Sequence, residues 1–353
     1  MIFDTALPSV NLPYLLDFLS GLLNTPSPTG FTGGAIAFCE SAFKQFPALK
    51  IKLTHKGALL VTWLGEKNDA PRALTAHVDT LGGMVKEIKA NGRLQLTKLG
   101  GFAWNTVEGE GCTVFTRRGS SVRGSFLLNK ASTHVYGTEV AKAERDDESM
   151  EVRLDTRTQS SGETQDLGID IGDFVAFDPR VEIREGFVRS RHLDDKACVA
   201  AILAAVKAIS EAGLKPRQDT TILISNYEEV GHGAAAGLPQ NIGELLVVDM
   251  AAIGDGQNSS EFHASLCVKD SGGPYHHALS NHLRDLADRH KIPYMVDIYP
   301  YYGSDGEAYW RAGGDVAVAL IGPGVDASHN YERTHTEALL ATTNWLLAYL
   351  LED

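Results

Sequence analysis

The chain has 353 residues, 43% of them hydrophobic and 22% charged, with 32 basic against 45 acidic side chains for a net charge of −13. That length allows about two domains with a sizeable core, and the composition excludes collagen-like and disordered chains. The acidic balance repels phosphate backbones and anionic membrane surfaces, so neither nucleic acid nor membrane is expected as a partner.

In chain order, the sequence predicts helices over Leu12–Leu23 and Gly33–Phe46, broken by Asn24-Thr25-Pro26-Ser27-Pro28-Thr29-Gly30, where prolines and glycine cannot continue a helix. No basic residue precedes Lys44, so no signal-peptide or transit-type leader is expected. Short β-type runs follow at Lys50–Thr54, Ala58–Leu64 and Arg72–His77. Between Val85 and Arg184 short alternating strands (Arg93–Leu96, Cys112–Thr116, Ser125–Leu128, Met150–Leu154, Phe174–Phe177) are separated by Gly, Asn and Asp turns, the pattern of a small all-β module. After Leu193 helices alternate with strands: helix Lys196–Ala212, strands Thr220–Ser225 and Glu244–Val248, helix Tyr275–His290, strand Val316–Ile321 and helix Thr336–Leu351. Such alternation argues for parallel strands covered by helices.

The expected fold class is therefore α/β, a mixed sheet covered by helices. Residues 1–85 and 185–353 would form one domain, with a β-barrel-like domain of residues 86–184 inserted into it. The longest apolar run, Ala197–Val206, is too short to span a membrane, so a soluble, cytoplasmic protein is expected. Cys39, Cys112, Cys198 and Cys267 are scattered without a CxxC pair, which fits buried thiols rather than disulfides or a thiolate metal site.

Acidic and histidine residues cluster where strands end: His77 and Asp79, Glu228-Glu229, Asp249, and the segment reaching His335. In an open α/β sheet, ligands bind outside the carboxyl ends of the strands. Asp194 and Asp195 open the Ala-rich helix, and helix capping should account for at least one of them. Several carboxylates in one crevice oppose each other's ionisation, and metal ions would remove that cost. Two histidines with several carboxylates and no cysteine suit zinc, cobalt or manganese. Adjacent residues in extended chain point to opposite sides, so one of Glu228 and Glu229 could ligate while the other faces water. That division fits metal-assisted hydrolysis. Thr334 and Glu337 have capping-box spacing, which places His335 in the first turn of the last helix and reads Glu337 as a cap.

With these residues in view, the sequence resembles the glutamyl and deblocking aminopeptidases, including the tetrahedral aminopeptidases. The likeness rests on Thr25-Pro26-Ser27-Pro28-Thr29-Gly30, Ala76-His77-Val78-Asp79, Gly82-Gly83-Met84-Val85, Leu99-Gly100-Gly101 and Ile171-Gly172-Asp173-Phe174-Val175. It continues through Leu193-Asp194-Asp195-Lys196, Glu228-Glu229-Val230-Gly231, Asp249 and Gly303-Ser304-Asp305.

The resemblance implies a zinc-exopeptidase-like α/β domain and two divalent metal ions (zinc, cobalt or manganese) held by His77, Asp194, Glu229, Asp249 and His335. Asp194 would bridge them, Glu228 would be the general base and Asp79 would orient His77. It also implies a homo-oligomer, from dimer to dodecamer, acting on short peptides. The sequence departs from the family at Lys196, usually Arg, at Thr80-Leu81, usually Glu-Ile, and at His335-Thr336-Glu337, usually His-Ser-Pro. The last departure makes His329 the alternative final ligand.

The expected activity is that of a metal-dependent aminopeptidase, with hydrolysis of a non-peptide small amide as the alternative. Tyr275-His276-His277, Tyr299–Tyr302 and Asp305-Gly306-Glu307 are candidate walls for the substrate pocket. Three remoter readings compete. Lys269-Asp270-Ser271-Gly272-Gly273-Pro274 looks like a chymotrypsin-type nucleophile loop, but that triad belongs to an all-β double barrel. A glycosidase would need two carboxylates but not His77, Asp249 and His335 beside them. A non-catalytic assembly protein would not need Glu228.

Overall fold

A computed structural model describes residues 6–353. The main sheet runs Leu49–Leu53, Leu59–Trp63, Gln218–Ser225, Lys67–His77, Glu244–Val248, Ala317–Val325, Ala264–Asp270 and Gly273–Pro274. Its centre is parallel: Lys67–His77 pairs with Gln218–Ser225 on one side and Glu244–Val248 on the other, and Glu244–Val248 pairs with Ala317–Val325. The flanks turn antiparallel at Leu59–Trp63 and Ala264–Asp270, so the sheet is mixed.

The central strands are apolar on both faces. Leu74, Leu246, Val248, Ala319 and Ile321 join the core beneath the long helices, whereas Ala73, Leu245, Val247, Val318 and Leu320 face the opposite cluster around Tyr299 and Tyr309. This period-two division is what a sheet sandwiched between layers requires. The helix Leu193–Glu211 is buried along nearly its whole length, and its alanines let Leu12–Leu23 and Thr336–Leu351 pack closely against it. Asn11 caps the first helix by accepting from Tyr14 N–H, with Pro13 in the first turn.

Between Gly82 and Phe177 six strands close into a barrel in the order Gly82–Ile88, Leu94–Leu99, Met150–Leu154, Ser121–Leu128, Gly111–Phe115 and Phe174–Phe177. It has its own core, in which Trp104, Phe102, Phe126 and Phe177 meet edge-on or tilted. The chain then forms a small sheet, Glu182–Arg184, Phe187–Ser190 and Glu332–His335, which carries it back to the α/β layer. The strands Ala264–Asp270 and Tyr294–Ile298 and the helix Asp305–Arg311 were not among the predicted elements.

All four cysteines are free and buried. Among the described residues no helix is long and apolar enough to cross a membrane.

Candidate metal centre and active site

The sheet brings the polar residues together as the parallel strands end. Ser225 and His77 are register partners, and Asp249 follows Val248 one strand further along. Asp305 knits this edge: one carboxylate oxygen accepts from Thr75 and Ser225 hydroxyls (2.9 and 2.5 Å), the other from Ala234 N–H at 2.7 Å. Asp305 is therefore a brace under the site, not part of a pocket wall.

Two groups of candidate ligands lie side by side. His77, Asp195 and Asp249 form one, and Asp194, Glu229 and His329 the other, the donor atoms of each lying within 4.8 Å of one another. Asp194 faces both: its Oδ1 is 3.2 Å from His77 Nε2 and its Oδ2 is 3.4 Å from His329 Nε2. Glu228 Oε2 lies 3.7 Å from His77 Nε2, and Glu229 Oε2 lies 3.7 Å from His329 Nε2.

Glu228 and Glu229 diverge for a different reason from the one expected. They lie not in extended chain but in a single 3-10 turn, Glu228–Val230, entered through left-handed Tyr227 (φ 65°) and left through Gly231 (φ 86°). Asp79 holds that turn: Oδ1 accepts from Glu228 N–H at 3.1 Å and Oδ2 from Glu229 N–H at 3.3 Å. Thr29 Oγ1 also donates to Oδ2, at 2.7 Å. The Pro-rich loop thus supports the site, and buried Lys196 anchors it by donating to Thr25 O at 2.8 Å. His77 Nδ1 is 2.9 Å from the Asp79 carbonyl oxygen and 3.5 Å from its Oδ1, so the backbone is the nearer partner of the imidazole.

His335 is not in this cluster. Its Nδ1 accepts from Glu337 N–H at 3.2 Å and caps the last helix, while its ring packs against Phe187 and Phe262. Thr334 lies within the strand Glu332–His335 and donates to Gly324 O, so the expected capping box does not form, and Glu337 donates its N–H to His335 instead. His329 occupies the place beside Asp194 and Glu229. It is held by its neighbours: Nδ1 pairs with Gly101 O at 2.6 Å, and its N–H donates to Glu332 Oε1 at 3.1 Å. Glu332 Oε2 accepts from Asp194 N–H, also at 3.1 Å, so one buried carboxylate aligns two members of the second group.

Sequence reasoning missed Glu332 and gave Asp195 no role beyond possible helix capping. The sequence shows Glu332 only as an acid three residues after His329, and its burial is visible in the structure alone. Asp195 looked like a helix cap, yet Asp194 and Asp195 both have non-helical backbone angles at the start of their helix. Asp195 Oδ2 accepts from His77 N–H at 3.1 Å, and its Oδ1 is buried without a partner.

The electrostatics expose the strain of this crowding. Burial, reinforced by Asp194, pushes Glu229 up to about 8 and Asp249 up to about 7. Burial likewise raises Glu228 and Asp195 well above the usual carboxylate range. Burial works against Asp194 too, but hydrogen bonds from His329 and His77 outweigh it and keep that carboxylate below its usual range. For His329, burial opposes the charge, but Asp194 and Glu229 outweigh it and raise the ring to about 10. A divalent cation in each group would relieve these penalties and occupy the orphaned Asp195 oxygen. The donor set of imidazoles and carboxylates without thiolate suits such ions.

A cavity of about 570 Å³ opens over the site. Asp194, Glu228, Glu229, Asp249 and His329 form its floor, while Tyr299, Tyr301, Tyr302, Glu307 and Arg311 are on its wall. Tyr275, His276 and His277 do not line it: Tyr275 is buried against Asp270, and His276 caps the helix that begins at His277. Ser271 donates its hydroxyl to Tyr302 O, and its surrounding α/β layers are unlike a serine-protease double barrel.

His329→Ala should lower metal content and remove most activity, whereas His335→Ala should leave metal content unchanged and cost about 1 kcal/mol of stability through the lost cap. Metal analysis and melting curves on the pair check both outcomes.

A mixed α/β sheet gathers these imidazoles and carboxylates at its strand ends, with a separate barrel beside them. The M42 glutamyl aminopeptidase profile matches residues 57–345, and the chain belongs to that family. It is 48% identical over 336 residues to the Bacillus subtilis protein YhfE, covering 95% of this chain and 96% of that one. Among solved structures, an aminopeptidase from Desulfurococcus kamchatkensis superposes with TM-score 0.85 at 21% identity, covering 97% of this chain and 96% of its own. The Pyrococcus horikoshii TET1 peptidase, described as assembling into a tetrahedron or a large octahedral shell, gives TM-score 0.84 at 20% identity, with 96% and 100% coverage.

Proposed function

We propose that this enzyme is a dinuclear-metal aminopeptidase that removes N-terminal residues from short peptides, with Glu228 as general base. The observation that carries this reading is Asp194, which turns one carboxylate oxygen to each of two histidines at 3.2 and 3.4 Å. His77, Asp194, Asp195 and Asp249 would hold one ion, and Asp194, Glu229 and His329 the other. When bound, the ions would supply Lewis-acid polarisation of the scissile carbonyl and make a water acidic enough to attack.

Glu228 belongs to neither candidate group, yet it lies on the cavity floor. Its raised affinity for a proton, caused by burial, suits it to take a proton from the attacking water and pass it to the leaving nitrogen. Asp79 keeps this carboxylate and that of Glu229 in register through two backbone N–H groups. The acidic floor favours a protonated or metal-held α-amine, which restricts attack to the chain end. Members of the fold such as the P. horikoshii peptidase assemble, and we propose a homo-oligomer here as well. A cytoplasmic location fits the same reading.

A chelator should abolish hydrolysis of a short peptide with a free α-amine, and zinc, cobalt or manganese should restore it. The N-acetylated peptide should resist cleavage under all conditions. Turnover of small non-peptide amides with no peptide cleavage would instead favour an amidohydrolase.

A further inference from the structure

One group of candidate ligands depends on the barrel. His329 and Glu229 come from the α/β layer, but the turn after the barrel strand Leu94–Leu99 reaches both of them. Gly101 O is 2.6 Å from His329 Nδ1, which turns Nε2 toward Asp194 and Glu229. Gly100 has φ +87°, and a Cβ there would lie 2.5 Å from Leu81 Cδ2, 3.4 Å from Glu229 Oε2 and 3.5 Å from Glu229 Cβ. Only a residue without a side chain meets the backbone angle and the close approach together. His77, by contrast, is held by Asp79 and Asp195 from the α/β layer.

We propose that the Gly100–Gly101 turn of the barrel is a positioning element for one of the two metal positions, Asp194–Glu229–His329, and leaves the other to the α/β layer alone. The barrel thereby sets the occupancy of half of the centre. This rests on the two-metal reading above. The carbonyl fixes the tautomer and tilt of His329, as partners of metal-ligating histidines do, and loss of such a partner typically weakens metal binding about 10–100-fold.

The test is a cobalt titration of metal-free full-length protein, followed by calorimetry and by the visible absorption of the bound ion. Wild type should take up two ions. Gly100→Ala should keep one at wild-type affinity and bind the second at least about 10-fold more weakly. Gly100→Asn, which tolerates the left-handed backbone better but places bulk toward Glu229, should do the same. Gly119→Ala is the control: it imposes the same left-handed strain (φ +85°) elsewhere in the barrel, where an added Cβ meets nothing within 4 Å, and should still take up two ions.

Two unchanged sites in both Gly100 variants would overturn the proposal, as would an equal loss in Gly119→Ala, which would make barrel stability the cause. Wild type that binds no more than one ion would instead overturn the two-metal reading itself.

Discussion

Glu228→Gln is expected to retain both metals and lose about 10²–10⁴-fold in kcat, with KM little changed. The substitution is nearly isosteric, and the backbone N–H of residue 228 would still donate to Asp79, so the turn that presents Glu229 should stand. Glu228 is outside both candidate ligand groups, which is why metal content should survive. What disappears is the proton acceptor on the cavity floor. Steady-state kinetics on a dipeptide, together with metal analysis of the same sample, separate this from a ligand loss. Retention of kcat within about tenfold would assign the base elsewhere.

Asp194→Ala should be more drastic for metal. Both of its oxygens are engaged, one toward each histidine, so removing it depletes both positions at once. Partners one bond further out cost about 10–100-fold in affinity when lost, and a shared direct ligand should exceed that range for each ion. Activity should fall to background at ordinary metal concentrations. The metal-free variant should also show lowered carboxylate pKa values at Glu229 and Asp249, because Asp194 raises both after burial has done so. Carboxyl NMR titration of the apo proteins reads that shift directly.

Much of the architecture was legible because apolar runs with clear punctuation fix element type. Met150–Leu154, Phe174–Phe177, Glu244–Val248 and Thr336–Leu351 have the limits that their sequence pattern predicted. Ala264–Asp270 and Tyr294–Ile298 were missed because Ser265, Lys269 and Asp297 interrupt their apolar texture. Their strand character comes from pairing with Ala317–Val325 and with each other, which is tertiary information.

The strand-end residues His77, Glu228, Glu229 and Asp249 could be read from sequence, since a polar residue after a buried strand has few places to go. The choice between His329 and His335 could not. It depends on a loop in which Ala327 and His329 both adopt left-handed angles (φ 58° and 61°), and no periodicity encodes that. The pull of Glu332 on the His329 backbone supplies the missing constraint, and it acts between residues only three apart that point back through folded space to Asp194. Asp195 received no role at the site because an acid at a helix start has a common local explanation, whereas here it reaches the His77 N–H across the sheet edge.

The most direct measurement is anomalous diffraction from crystals of the zinc-loaded enzyme, collected on both sides of the zinc absorption edge. The account predicts two peaks per chain flanking Asp194, one beside His77 and Asp249 and one beside Glu229 and His329, with none at His335. A single peak, or two peaks that do not share Asp194, would contradict it.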